Sequence, residues 1–183
     1  MTAAVTAAAI TARDPARIRT RDVVRLGLAQ MAIGATVALM TSTLNRVMVV
    51  ELELAASVPA ALVALHFAVQ LGRARVGHDS DRSARRTPWM LGGMLVLALG
   101  AAGAVLATAL AATHRALGLA AAAVAYLVIG LGVSAAGTSL LAMVAERVEP
   151  ARLGRAAAIL WVMMIAGIIV SAGVVGSLLD PFS

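Results

Sequence analysis

Five long apolar runs, separated by short connections rich in arginine, dominate this chain, and few folds can accept them. They occupy residues 26–44, 54–71, 88–113, 116–145 and 156–179. Each approaches or exceeds the ~20 residues that an α-helix needs to cross a bilayer core at about 1.5 Å rise per residue. A chain of 183 residues that is 61% hydrophobic cannot hide its apolar groups in one soluble core of this size. Lipid must be the solvent for much of its surface, and the expected class is an all-α integral membrane protein with five transmembrane helices.

Charge then assigns the two sides. The net charge of +6 comes from arginine alone, since lysine is absent, and the arginines gather at the ends of apolar runs. That distribution reads as topology rather than as a nucleic-acid tract, and no nucleic-acid partner is expected. Residues 1–25 form a basic tail with Arg13, Arg17, Arg19, Arg21 and Arg25 following a weakly apolar start. A cleavable signal would place its charge first, and Asp14-Pro15 interrupts a helix there, so the tail is expected in the cytosol, where residues 15–25 could lie on anionic lipid. Counting from it, five crossings place thirteen arginines on the cytoplasmic side and leave Arg46 and Arg115 outside. The membrane domain is thus expected over residues 26–183, with a periplasmic C-terminus. The lack of cysteine excludes a disulfide framework and a thiolate metal site, and fits either redox compartment.

The most charged connection runs from Gly72 to Pro88 and holds Arg73, Arg75, Arg82, Arg85 and Arg86 with Asp79 and Asp81. Its core, Gly77-x-x-x-Asp81-Arg82-x-Ala84-Arg85-Arg86, resembles the signature between the second and third helices of major facilitator carriers, where glycine stands in place of Ala84. That resemblance implies a clasp in which Gly77, Asp81, Arg82, Arg85 and Arg86 pair with neighbouring helix ends and stabilise one access state. Thr87 and Pro88 together read as the cap and first turn of the next helix.

Three further segments narrow the resemblance. They are Leu44-Asn45-Arg46-Val47-Met48-Val49-Val50-Glu51-Leu52, then Leu62-Val63-Ala64-Leu65 leading through Arg73-Ala74 and Gly77-His78-Asp79-Ser80-Asp81 to Arg85-Arg86-Thr87-Pro88, and a later stretch from Ala136-Gly137-Thr138-Ser139 through Glu146-Arg147 to Trp161-Val162-Met163-Met164. Together they resemble the PucC and LhaA proteins of phototrophic bacteria, a bacteriochlorophyll delivery branch of the major facilitator superfamily. The resemblance implies a bacterial inner membrane, cytoplasmic or photosynthetic, and bacteriochlorophyll delivery during light-harvesting complex assembly. Bacteriochlorophyll would be cargo rather than a tightly bound cofactor. Light-harvesting polypeptides and pigment-synthesis proteins would be partners.

The residues themselves offer two polar stripes at helical spacing. Gln30, Gly34, Thr41 and Asn45 fall near one face of the first run, and Pro59, His66, Gln70 and Arg73 near one face of the second. Polar groups in hydrocarbon turn to the bundle interior, where they bind helices together or line a cavity. Asn45, Arg46, Glu51, His66 and Gln70 are therefore the candidate contacts for pigment or substrate. His66 is a weak candidate for an axial ligand to a pigment magnesium, since for a lone histidine with Gln70 one turn away a hydrogen bond across helices is the simpler arrangement. Arg46, Glu51 and Glu53 would make either an ion-paired collar or a solvated rim.

Catalysis is not expected, because no nucleophile-base pair or metal-ligand cluster occurs. Proton-coupled transport is weakened by the lack of any charge between Arg115 and Glu146 and of any acid at the centre of a span. The alternative is a secondary carrier of a small solute, present as a fragment. An odd number of spans suits either a piece of a longer protein or a bundle completed by another chain.

Overall fold

The computed structural model describes residues 18–73, 77–78 and 86–179, which form helices and turns with no strand among them. Five helices carry the fold: α1 (Thr20–Glu51), α2 (Ser57–Gln70), α3 (Arg86–Thr113), α4 (Arg115–Arg147) and α5 (Leu153–Leu179). Four are long and apolar enough to cross a membrane, and α2, with 14 residues, is shorter. The faces of α3 and α5 that point away from the bundle show Leu91, Leu95, Leu99, Val162 and Ile169 to the surroundings, as a lipid-embedded protein requires.

Helix α1 starts earlier than its apolar run, because Asp22 in its first turn accepts a hydrogen bond from the Arg19 N–H at 3.1 Å and so caps the free end. It also continues past Leu44. Two π-helical turns, Leu39–Thr43 and Val47–Glu51, carry it on to Glu51, so the segment expected at the outer margin of the span is helical. The side chains of Thr36, Thr41 and Ser42 each donate to the carbonyl four residues back and compete with the regular ladder. At the other side of the Gly72–Pro88 connection, Arg86 and Thr87 already lie within α3, so Thr87 is part of the helix rather than its cap.

Association of these helices cannot rest on hydrophobic burial alone, since lipid tails are as apolar as leucine, and close packing at small residues takes its place. Helix α3 lies along α4, α1 along α5, and α2 against α4. At the α1–α5 seam a side chain on Gly34 would run into the Met164 carbonyl, and one on Gly167 into the Met31 carbonyl. A β-carbon on Gly130 would come within 2.7 Å of the His66 carbonyl, which sets the closeness of α2 and α4. By contrast, Gly173 and Gly176 face open space.

Polar contacts fix both ends of the bundle. At one end the Ile18 N–H donates to the Arg147 carbonyl at 3.2 Å, and Arg86 pairs with Glu146, so the starts of α1 and α3 meet the end of α4. At the other end Arg115 donates to the carbonyls of Leu52 and Glu53 at 3.1 and 3.2 Å, joining the α1–α2 and α3–α4 turns. Between them lies a core around Met40, Met48, Leu97, Tyr126 and Ile129.

Candidate functional site

Helices α1, α2, α4 and α5 leave a cleft of about 280 Å³ between them, in the half of the bundle nearer the Arg86–Glu146 end. Its walls are mainly apolar, with Ile33, Phe67, Leu160, Trp161 and Met164 among them. Its polar groups are Gln30 from α1, Gln70 at the end of α2, and Arg73 just beyond. Apolar walls with a few convergent polar groups are the usual makeup of a small-molecule site, and this volume sits near the lower limit of about 300 Å³ for such pockets.

A relay of donors holds the polar groups in place. Arg73 donates to Gln70 Oε1, and Gln70 Nε2 lies 2.6 Å from His66 Nε2. In this arrangement Gln70 donates to the unprotonated Nε2, and His66 carries its proton on Nδ1. That nitrogen is buried and has no hydrogen-bond partner among the described residues. Phe67 stands edge-on to the imidazole at 5.0 Å between ring centres. His66 is fully buried, and it acts on the cleft from behind, by orienting Gln70. As arranged, neither ring nitrogen presents a free lone pair to a metal.

Gln30 is held less completely. Its Nε2 donates to the Met164 sulfur at 3.4 Å, a weak acceptor, while its Oε1 is buried without a partner. It is an unmet polar end on a cleft wall.

The other expected residues fall elsewhere. Asn45 is half-buried and Arg46 and Glu51 are exposed; the first two lie on the short α-helical turn between the two π-helical turns of α1, Glu51 on the second π-helical turn, and none lines the cleft. No ion pair joins Arg46 to Glu51 or Glu53; Arg115 reaches that turn through main-chain carbonyls instead. Of the loop motif, Asp81, Arg82 and Arg85 lie outside the described residues. Gly77 is helical, and a β-carbon there would sit 3.5 Å from Thr138 of α4. Arg86 makes a two-pronged ion pair with Glu146, Nε donating to Oε2 at 2.9 Å and Nη2 to Oε1. This contact ties the loop's last arginine to the end of α4.

The two polar stripes do not pack along each other. Their helices rest chiefly on α5 and α4 respectively, and they converge only at the cleft, where Gln30 meets Gln70 and Arg73. Sequence reasoning missed Tyr126, whose hydroxyl reaches the Met40 carbonyl, and Glu146 as the partner of Arg86. The chain's single tyrosine, in a mainly apolar span, was the available signal for the first, since a buried hydroxyl needs an acceptor.

Comparison with known proteins agrees with these segments. The PUCC protein family matches residues 43–183. A Rhodobacter capsulatus protein named "Bacteriochlorophyll synthase 44.5 kDa chain" is 52% identical over 88% of this chain and 38% of its own length. "Protein PucC" of the same organism is 33% identical over 87% of this chain and 37% of its own, and an "Uncharacterized protein in puhA-bchM intergenic region", also from that organism, is 36% identical over 88% and 36%. The chain therefore spans somewhat more than a third of the length of the curated relatives it matches. No solved structure matches. A helical membrane protein with these segments and these relatives belongs to the PucC family.

Proposed function

We propose that this chain forms part of a non-catalytic factor that delivers bacteriochlorophyll during assembly of light-harvesting complexes in the inner membrane of a phototrophic bacterium. The observation that carries the reading is the cleft between α1, α2, α4 and α5, an apolar volume with a small polar cluster at one side. Such a site suits an amphipathic cargo. At about 280 Å³ it admits an edge and one polar substituent of a tetrapyrrole, with the rest of the ring and its tail left against the helix surfaces. Family membership supports the reading through the names its relatives carry. The word synthase in one of them belongs to that relative; here Gln30, Gln70 and Arg73 supply neither a nucleophile nor a general base to the cleft.

The N-terminal end faces the cytoplasm in this reading, with the end of α5 toward the periplasm. Among the described residues Arg19, Arg21, Arg25, Arg73, Arg86, Arg147, Arg152 and Arg155 belong to the first end, against Arg46 and Arg115 at the second, and short basic segments translocate poorly. Light-harvesting polypeptides and pigment-synthesis proteins are the partners, and helices of the same longer chain or of another subunit complete the bundle. Purification of the full-length protein from a pigment-producing host should bring down bacteriochlorophyll. Its deletion should remove light-harvesting complexes and leave reaction centres. Pigment-free protein that shows saturable uptake of a small solute would sink the delivery reading in favour of a carrier.

A further inference from the structure

The amide of Gln30 is the loose member of the cleft's polar set. Gln70 has both ends engaged, Oε1 accepting from Arg73 and Nε2 lying 2.6 Å from His66 Nε2. Gln30 Oε1, by contrast, is buried without a partner, and Nε2, which carries two N–H donors, makes one hydrogen bond among the described residues, to the Met164 sulfur at 3.4 Å. A thioether is a weak acceptor. The amide therefore gains by meeting an oxygen, either through its second N–H or by a half-turn that brings Nε2 to the place of Oε1. Gln30 stands on the regular part of α1, ahead of the first π turn, so a rigid element rather than a loop presents it to the cleft. Two exposed aromatic side chains share the wall with it, Phe67 on α2 and Trp161 on α5.

From this arrangement we infer that Gln30 hydrogen-bonds a carbonyl on the edge of the pigment's macrocycle and so fixes which edge enters the cleft. This rests on the delivery reading above and makes it more specific. A magnesium tetrapyrrole has no ring N–H to offer, and the rim groups that can meet an amide are oxygen acceptors, so the bond runs from the Gln30 N–H to a ring-edge C=O. A volume of about 280 Å³ takes that edge and leaves ring face for Phe67 and Trp161 to cover. The esterified tail needs no polar partner here and stays in lipid against the helix surfaces. An edge carrying only alkyl groups would seal the amide in with nothing to bond, and that penalty sets the orientation.

The test loads the full-length protein in lipid nanodiscs with bacteriochlorophyll a and reads the carbonyl stretches conjugated with the macrocycle by resonance Raman spectroscopy. In the native protein one of those bands should lie below its position for the pigment in a solvent that donates no hydrogen bond. In Gln30→Leu that band should return to the free position, and pigment binding should weaken about fivefold, the worth of one neutral hydrogen bond. Gln30→Asn keeps the amide but draws it back by one methylene, and should shift the band the same way if the leucine variant fails to fold. A bound pigment whose conjugated carbonyls all sit at their free positions overturns the inference and leaves delivery standing. A lowered band that persists in Gln30→Leu, or in Gln30→Asn where the first variant does not fold, assigns the bond to another donor and overturns it as well. Native protein that takes up no pigment removes the delivery reading and the inference with it.

Discussion

The hydroxyl of Tyr126 donates to the main-chain carbonyl of Met40 across 3.2 Å, joining the middle of α4 to the first π-helical turn of α1. The tyrosine is fully buried, and the carbonyl belongs to a stretch where the regular ladder is already broken. Tyr126→Phe should leave that carbonyl without its partner and cost about 1–3 kcal/mol. A lowered unfolding midpoint in detergent, with retained helical circular dichroism, is the expected result. An unchanged midpoint would mean that the π turn does not depend on Tyr126.

Arg86 and Glu146 form a two-pronged pair in which the arginine side chain is 12% exposed and the glutamate 55%. Solvent screens one partner, so the coupling should be about 1 kcal/mol, above the median of exposed pairs and below that of buried ones. A double-mutant cycle with Arg86→Gln and Glu146→Gln measures it. Additive effects of the two substitutions would show that the pair contributes nothing of its own.

Substitution at the small residues should divide by seam. Gly34→Ala and Gly167→Ala each drive a methyl group into a facing carbonyl on the α1–α5 contact and should cost about 1–3 kcal/mol or abolish the monodisperse peak in size-exclusion chromatography. Gly173→Ala and Gly176→Ala, which meet open space, should be neutral or slightly stabilising. Equal behaviour of the two sets would contradict the described packing of α1 on α5.

Glu53 has a positive φ of 50°, the left-handed region, in the turn that Arg115 bonds. Glu53→Gly should be tolerated, because relief of about 1 kcal/mol of strain offsets the added freedom of the unfolded chain. Glu53→Val should cost more than that, since a branched side chain fits the left-handed region poorly. Thermal midpoints of the two variants, compared with that of Arg115→Ala, check both the strain and its anchor.

Absence of cysteine makes topology directly measurable. A single cysteine at Glu53 should react with an impermeant maleimide added outside intact cells, and one at Glu149 only after the membrane is opened. The reverse pattern would invert the proposed orientation.

Much of the architecture was legible because lipid imposes a length on apolar runs and arginine marks their ends. The site was less so. Reading Gln30, Gly34, Thr41 and Asn45 as one stripe assumes an unbroken 3.6-residue period, and α1 breaks that period twice after Ala38. Each π turn rotates the residues beyond it about the helix axis, so Asn45 to Glu51 no longer share the direction of Gln30. In α2, where the helix is regular, Pro59 and His66 fall on the face toward α4, and Gln70 and Arg73 reach the cleft at its end. That His66 bonds Gln70 and does not itself line the cleft was visible only in three dimensions, because the choice turns on which ring nitrogen is engaged.

At about 1.5 Å per residue, the 14 residues of α2 reach about 21 Å, well short of a hydrocarbon core of ~30 Å. Its neighbours overshoot the same thickness. Where α2 meets lipid the bilayer has to come to it, either by thinning or by drawing headgroups down beside Gln70. A bilayer around this bundle would therefore be thinner beside α2 than along α3.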